Sequence, residues 1–377
     1  MTLKAIAAGS RIKGLSIVGT GDALHPVWLR ELRSNLRRSE DLFEYEGVKF
    51  VLTAEVNTVF EREKRHRIHS ILIFPSISKA EEISEKLSVY GDLSQDGRPT
   101  LSIDPVELLD ILFTADDSLE LIPAHIWTPW FSVFGATSGF DSLKECFGER
   151  VSRVHSLETG LSSDPEMNWM ISSLDRMNLL SNSDAHSHHP WRLGREANVF
   201  TLSHPGYEQI LDAVRSGSGL KMTLEVPPEF GKYHWSGHRN CNVSLPPEEA
   251  IRMSNLCPVC GRKLTVGVEQ RVYQLADRRK GFKPEGKPGF VRTLPLHEIL
   301  MTASGTTSYG SVVSDHEALI KRYGSEYQVL LNAPINELLV INRRAAELIW
   351  LLRTNRLKVR PGYDGIYGTI APDQDLE

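Results

Sequence analysis

Two short pairs of soft ligands, His238-Arg239-Asn240-Cys241 and Cys257-Pro258-Val259-Cys260, separated by 15 residues, constrain this chain more than any other feature. Three thiolates and an imidazole at such spacing close a tetrahedron around a structural Zn2+, each pair forming one knuckle. Pro258 stiffens the turn between the second pair of thiolates, and Gly261 lets the backbone reverse straight after it. His238, Cys241, Cys257 and Cys260 are therefore read as a closed site with no position for a catalytic water. The fourth cysteine, Cys146, has no partner, which argues against an oxidised disulfide framework and makes it a small buried hydrophobe.

A chain of 377 residues with 41% hydrophobic content has room for two or three domains. No uncharged apolar run reaches the roughly 18–20 residues of a membrane span, and no signal-peptide pattern is seen, so a cytoplasmic protein is expected. The net charge of −5 does not suggest a nucleic-acid binder, but two segments depart from it. Residues 262–292 hold nine Lys/Arg against three acids, and residues 343–360 hold six against Glu347 alone. Beside a zinc module, such stripes suit phosphate contacts, with Arg278, Arg279, Lys280 and Lys283 the densest group.

Short apolar strands are expected at Leu15–Gly19, Lys49–Thr53, Ile71–Phe74, Leu119–Pro123, Val154–Ser156 and Leu179–Asn182, with a helix from Pro26. Strands separated by helices indicate a parallel α/β sheet or barrel, in which polar residues at the carboxyl ends of strands build the site. This region is taken as residues 1–225, followed by a zinc-binding module over 226–285 and a helical domain over 286–377. In the last, Asp315–Tyr323 and Ile335–Leu352 carry helical periodicity, and a turn-rich loop then presents Tyr363 and Tyr367.

The polar residues at the strand ends are Asp22, Glu55, His69, His125, Asp184 and His186. All are metal-ligand types. Converging on one mouth, they could hold two or three divalent ions that activate a water and stabilise the attacking and leaving oxygens of a phosphoryl group.

The order of Asp, Glu, a His fourteen residues on, a His after a strand and then DxH resembles the polymerase and histidinol phosphatase (PHP) superfamily of metal-dependent phosphoesterases. More narrowly, GTGDALHP, AHIWTPW, ETGLSSDPEMNW, SNSDAHS, LGREAN, GHRNC, CPVCGRKLTVGV and PGYDGIYG resemble the endonuclease Q family over essentially the whole chain. The resemblance implies a distorted (β/α)7 barrel that nicks DNA on the 5′ side of hypoxanthine, uracil or xanthine, or at abasic sites. The zinc and helical domains would help hold double- or single-stranded damaged DNA. It further implies Asp22, Glu55, His69, His125, Asp184 and His186 as barrel metal ligands, with Asp184 and His186 catalytic. The barrel ions would be Zn2+ and Mg2+ or Mn2+. Tyr363 is a further candidate DNA contact.

Family members begin with a strand carrying DLHxHS, and nothing of this kind precedes Asp22. The expectation is a start lying upstream of Met1; otherwise the centre is two imidazoles short, and His25 or the pair His188 and His189 would have to stand in. Trp127, Trp130 and Phe131 follow His125 and are candidates for stacking on a flipped base, as are Tyr363 and Tyr367. A Gln-then-aromatic clamp motif is absent from 372–377, so no clamp partner is claimed. Two other functions fit parts of the chain: a small-molecule phosphoesterase, which leaves the zinc module idle, and a non-catalytic DNA-binding protein with a decayed barrel.

Overall fold

A computed structural model describes residues 1–372 and 374; the rest of the stretch read for a clamp motif lies outside the described residues. The first part runs α1 (Leu3–Lys13), β1 (Ile17–Gly19), α2 (Pro26–Asn35), β2 (Arg37–Ser39), β3 (Leu42–Tyr45), β4 (Val48–Glu61), β5 (Arg65–Phe74), α3 (Ile77–Leu87), β6 (Thr100–Leu101), α4 (Pro105–Ala115) and β7 (Glu120–Pro123). It continues with α5 (Leu143–Phe147), β8 (Ser156–Glu158), α6 (Pro165–Asn168), β9 (Asn178–Leu180), β10 (Ala197–Phe200), α7 (Tyr207–Ser216) and β11 (Leu220–Glu225). Next come β12 (Ser236–His238), β13 (Val243–Leu245), α8 (Pro247–Arg252) and α9 (Val268–Leu275). The chain closes with β14 (Gly289–Arg292), α10 (Leu296–Ser304), α11 (Val313–Tyr323), α12 (Ile335–Ile341), α13 (Arg343–Arg353), β15 (Val359–Arg360) and β16 (Thr369–Ile370). No described helix is long and apolar enough to cross a membrane.

Local chemistry sets the helix starts. Asp104 accepts from the Val106 N–H ahead of Pro105, and Ser76 accepts from the Lys79 N–H, each satisfying a donor that the first helical turn leaves open. The long apolar segment expected over Ile335–Leu352 divides into α12 and α13, because Asn342 leaves the helical region (φ −149°) and its side chain caps the Ala345 N–H.

Five expected strands are found and the one expected at Val154–Ser156 is displaced to Ser156–Glu158, but the sheet is mixed, which corrects the all-parallel expectation. Strands β2, β3, β4, β5 and β7 pair antiparallel in that order, while β1 and β6 pair parallel to β4. Only residues 62–64 join β4 to β5, and a parallel partner needs a crossover of a dozen residues or more. β8 and β9 pair parallel, and backbone hydrogen bonds link the strand ends onward around the mouth. Ile126 N donates to Glu158 O (3.2 Å) and Thr159 N to Leu180 O (2.9 Å).

The main core is built on Phe50, Leu52, Val56, Ile68, Leu72 and Phe74 of β4 and β5, with α1, α3 and α4 packed around it. Val268 and Val272 of α9 are buried in this same core, so the segment carrying the zinc motif is anchored into the first part of the chain. β11 pairs in parallel with β14 from Met222↔Gly289 to Glu225↔Arg292, so the parts expected as residues 1–225 and 286–377 share one sheet. A second core fills the helical region around Leu296, Ile299, Leu330, Leu348 and Leu352.

A buried ion pair ties the N-terminal helix to that helical region. Lys13 Nζ lies 2.6 Å from Glu326 Oε1, with side-chain exposures of 1% and 0%. The Leu296 N–H donates to the same oxygen (2.7 Å), and His316 Nε2 lies 3.4 Å from Glu326 Oε2. Burial opposes ionisation of Glu326, yet Lys13 holds its pKa down to about 2. Its stability contribution is therefore present above the unfolded value of 4.5 and lost as pH falls through about 2. Lys13→Met strands a buried carboxylate and should cost roughly 3–5 kcal/mol in a denaturant titration at pH 7. The double variant Lys13→Met/Glu326→Leu should recover most of that loss.

Candidate metal centre

The pairing of β4 with β5 brings the first two ligands together. Asn57 stands opposite His69 and Glu55 opposite Ile71. Residues two apart share a face, so Glu55 and His69 project from the same side. β7 pairs with β5 through Ser70↔Pro123, and the Ala124 N–H donates to His69 O (3.0 Å), which brings His125 beside His69. His69 Nδ1 and His125 Nε2 lie 3.0 Å apart, at 3.3 and 3.4 Å from Glu55 Oε1. These three ligand atoms fall within 4.8 Å of one another.

The donor set fits a divalent cation. Glu55 Oε1 is buried with no hydrogen-bond partner while facing two imidazole nitrogens, an arrangement an ion would satisfy. Burial opposes ionisation of Glu55, but the His125 and His69 imidazoles and Arg98 hold its carboxyl well below the usual range. Burial pushes His69 down to about 4, which keeps it neutral and able to ligate near pH 7. Burial works against protonating His125 too, yet the adjacent Glu55 raises its pKa.

Asp184 and His186 reach this cluster through a residue that the sequence reading passed over. The Arg98 guanidinium contacts Glu55 Oε2 (3.0 Å), Asp184 Oδ1 (2.6 Å), His186 Nε2 (2.9 Å) and His69 Nδ1 (3.4 Å). An arginine is not a metal ligand, so a search by ligand type misses it. Glu158 was missed for a different reason: the strand expected at Val154–Ser156 runs instead over Ser156–Glu158, so Glu158 is the strand-end residue of β8. Its Oε2 accepts the His125 N–H (2.7 Å) and its Oε1 accepts from Asn182 (2.9 Å), while burial raises its pKa to about 7.

Among the described residues, four of the eleven non-glycine residues with positive φ belong to this mouth: Asp22 (49°), His125 (31°), Phe131 (63°) and Asp184 (43°). Such conformations cost about 1–3 kcal/mol each and persist where neighbours hold them, commonly at functional sites. Glu158 does so for His125. Gly160 assists, since a β-carbon there would stand 2.6 Å from His125 Cβ.

The remaining candidates divide. Asp22 is outside the three-ligand cluster; it accepts from the Gly97 backbone, and burial, with lesser repulsion from Asp96 and Glu55, raises its pKa. His25 is engaged at both nitrogens: Nδ1 caps α2 at the Val27 and Trp28 N–H groups, and Nε2 meets Ser94 O at 3.0 Å. His188 and His189 stack towards Trp191, which packs on His297 and Tyr309 of the helical region. Trp127 is a core residue, 1% exposed, bonded to Asn168. Trp130 packs edge-on to Tyr233, and the Phe131 ring lies 4.9 Å from that of His69. Cys146 is buried, as expected.

His238, Cys241, Cys257 and Cys260 converge with their ligand atoms within 4.8 Å. The second knuckle turns where expected, with Gly261 at φ 71°. Burial would raise the Cys257 thiol, but the N–H groups of Cys260 and Val259 draw it down to about 6, favouring thiolate. Tyr363 donates to Asn242 (2.6 Å) and packs on Gly237, stapling the C-terminal loop to this cluster. Arg278 is held by Asp175 at 2.6–2.7 Å, whereas Arg279, Lys280 and Lys283 are exposed.

Among solved structures, the chain superposes on the lesion-specific endonuclease PfuEndoQ of Pyrococcus furiosus with a TM-score of 0.88 and 35% identity, covering 100% of this chain and 92% of that one. The chain belongs to the endonuclease Q family. A structure of Endonuclease Q in complex with a 27-mer duplex substrate carrying an abasic lesion at the active site matches equally well, at TM-score 0.88 and 34% identity over 100% and 93% of the two chains. The family model of the MJ0043 C-terminal domain matches residues 295–356, the helical region. The uncharacterized protein MJ0043 of Methanocaldococcus jannaschii is 36% identical over 253 residues, which are 66% of this chain but 31% of that protein. The chain thus spans about a third of the length of this curated relative. The uncharacterized protein YqxK of Bacillus subtilis is 26% identical over 97% of this chain and 91% of its own.

Because α9 roots the zinc-motif segment in the main core, Cys257→Ser should do more than release metal. We expect zinc content to fall by one ion per chain, with a lower melting temperature for the whole cooperative transition, measured by metal analysis and calorimetry. An unchanged zinc content would remove Cys257 from the site.

Proposed function

We propose that this protein is a cytoplasmic DNA-repair endonuclease that hydrolyses the phosphodiester 5′ of a deaminated base or at an abasic site. The observation that carries this reading is the convergence of Glu55, His69 and His125 with Asp184 and His186 at one mouth, in a member of a family with a solved complex on an abasic-lesion duplex. Glu55, His69 and His125 would hold one divalent ion, with Asp184 and His186, and Asp22 nearby, completing a multinuclear centre. Bound there, such ions supply a water activated near neutral pH and charge stabilisation for the phosphoryl oxygens.

The chain's own residues supply orientation. Glu158 and Gly160 fix the backbone of His125, and the Phe131 ring backs His69. Selecting a deaminated base in a duplex calls for extrusion of the nucleotide, since the difference lies on its Watson–Crick edge. Trp130 and Phe131, beside the mouth, suit a stacking role better than Trp127, which the core encloses. The exposed Arg279, Lys280 and Lys283 suit phosphate contacts, which add affinity without reading sequence.

The test is a nicking assay on a duplex bearing one deoxyinosine, uracil or abasic site, run beside a p-nitrophenyl phosphate assay. Asp184→Asn should lower nicking at least 100-fold while leaving duplex affinity within about threefold, because phosphate contacts lie elsewhere. Retained nicking would remove Asp184 from the reaction, and turnover of the small ester alone would favour a small-molecule phosphoesterase.

Neutralising Arg279, Lys280 and Lys283 together should weaken damaged and undamaged duplexes alike. Each lost contact should flatten the salt dependence of log K by about 0.9. A loss confined to damaged DNA would instead make these residues readers of the lesion.

A further inference from the structure

Arg98 stands where the two halves of the centre meet, and the fold holds it there. β6 pairs parallel to β4 with Asn57 opposite Thr100, which sets Arg98, two residues before Thr100, alongside Glu55. The loop is fastened on both sides of the side chain: the Asn57 N–H donates to Pro99 O (3.0 Å), and the Gly97 backbone donates to the Asp22 carboxylate. One guanidinium nitrogen then lies 2.6 Å from Asp184 Oδ1 and 2.9 Å from His186 Nε2, while Nε lies 3.0 Å from Glu55 Oε2.

Asp184 Oδ1 and His186 Nε2 carry the lone pairs that a divalent ion at this half would use. An ion bound to Asp184 and His186 at the usual 2.0–2.2 Å or so would overlap the guanidinium nitrogen already seated between them. Arginine cannot escape the conflict by losing its proton. An ion that takes Asp184 Oδ1 and His186 Nε2 must therefore displace the guanidinium.

We propose that Arg98 is an internal competitor for divalent metal at the Asp184–His186 half of the centre, its guanidinium holding the ligands together until an ion displaces it. This rests on the metal-dependent reading above. The affinity of that half for metal is then set by a residue that never binds metal, and loading becomes an exchange of one cation for another, with no unpaired carboxylates left between the two states.

The experiment is a Mn2+ titration of the full chain, with the zinc cluster intact, by calorimetry and by electron paramagnetic resonance of free Mn2+. It compares the wild type with Arg98→Met and Arg98→Lys. Arg98→Met should bind Mn2+ at least tenfold more tightly, or take up one more ion per chain. Arg98→Lys, whose single ammonium cannot span Glu55 and Asp184 together, should fall between the two; it decides the matter should Arg98→Met lose its zinc or its circular dichroism signal. Equal or weaker Mn2+ binding by the folded variants overturns the proposal while leaving the metal reading standing. Absence of any Mn2+ uptake in all three chains overturns both.

Discussion

The register of β4 against β5 is the constraint on which the rest of the site depends. Because side chains alternate across a strand, a slip of one residue would carry His69 to the face opposite Glu55 and separate the two ligands. The register is fixed from the other side of the hairpin by Phe50, Leu52, Ile68, Leu72 and Phe74, all buried in the main core. Packing in the core and geometry at the centre are thus one decision. The same hairpin sets β7, which delivers His125, and β6, which delivers Arg98.

Convergence of so many ionisable groups has an electrostatic cost, and the structure meets it locally. Glu55 stays charged because two imidazoles and a guanidinium surround it, whereas Glu158, 2% exposed and bonded only to neutral N–H groups, is raised by burial to about 7. The positive φ angles at Asp22, His125, Phe131 and Asp184 add backbone strain at the same place. Neither the charges nor these conformations would be stable in a loop free to relax; they are sustained by hydrogen bonds such as that from the His125 N–H to Glu158.

The parts of the chain are joined by polar as well as apolar contacts. Lys13 and Glu326 connect residues 313 positions apart through a pair that is stable only while both charges are kept. Tyr363 and Asp364 fasten the C-terminal loop to the zinc-motif segment, Asp364 accepting from the Arg239 N–H and the Thr265 hydroxyl. A loop that as sequence looks like a presented binding element is also, in the fold, a staple: Tyr363 is engaged with Asn242 while Tyr367 stays exposed.

The sequence by itself determined what depends on short spacing. The knuckles of His238, Cys241, Cys257 and Cys260, five of the six strands and the ligand types at their ends were all legible, because thiolate pairs and alternating apolar residues carry their geometry within a few positions. Family membership was legible too, from motifs spread along the chain. Strand direction was not, since helices between strands suggest parallel pairing while the three-residue link from β4 to β5 imposes the opposite. Only tertiary structure could separate Trp127, enclosed by the core, from Phe131 beside His69, or employ both nitrogens of His25 in capping α2 and holding Ser94. Only it could bring Arg98 within reach of Glu55 and Asp184, 43 and 86 positions away, because contacts over such separations are fixed by sheet register and packing and leave no local pattern in the chain.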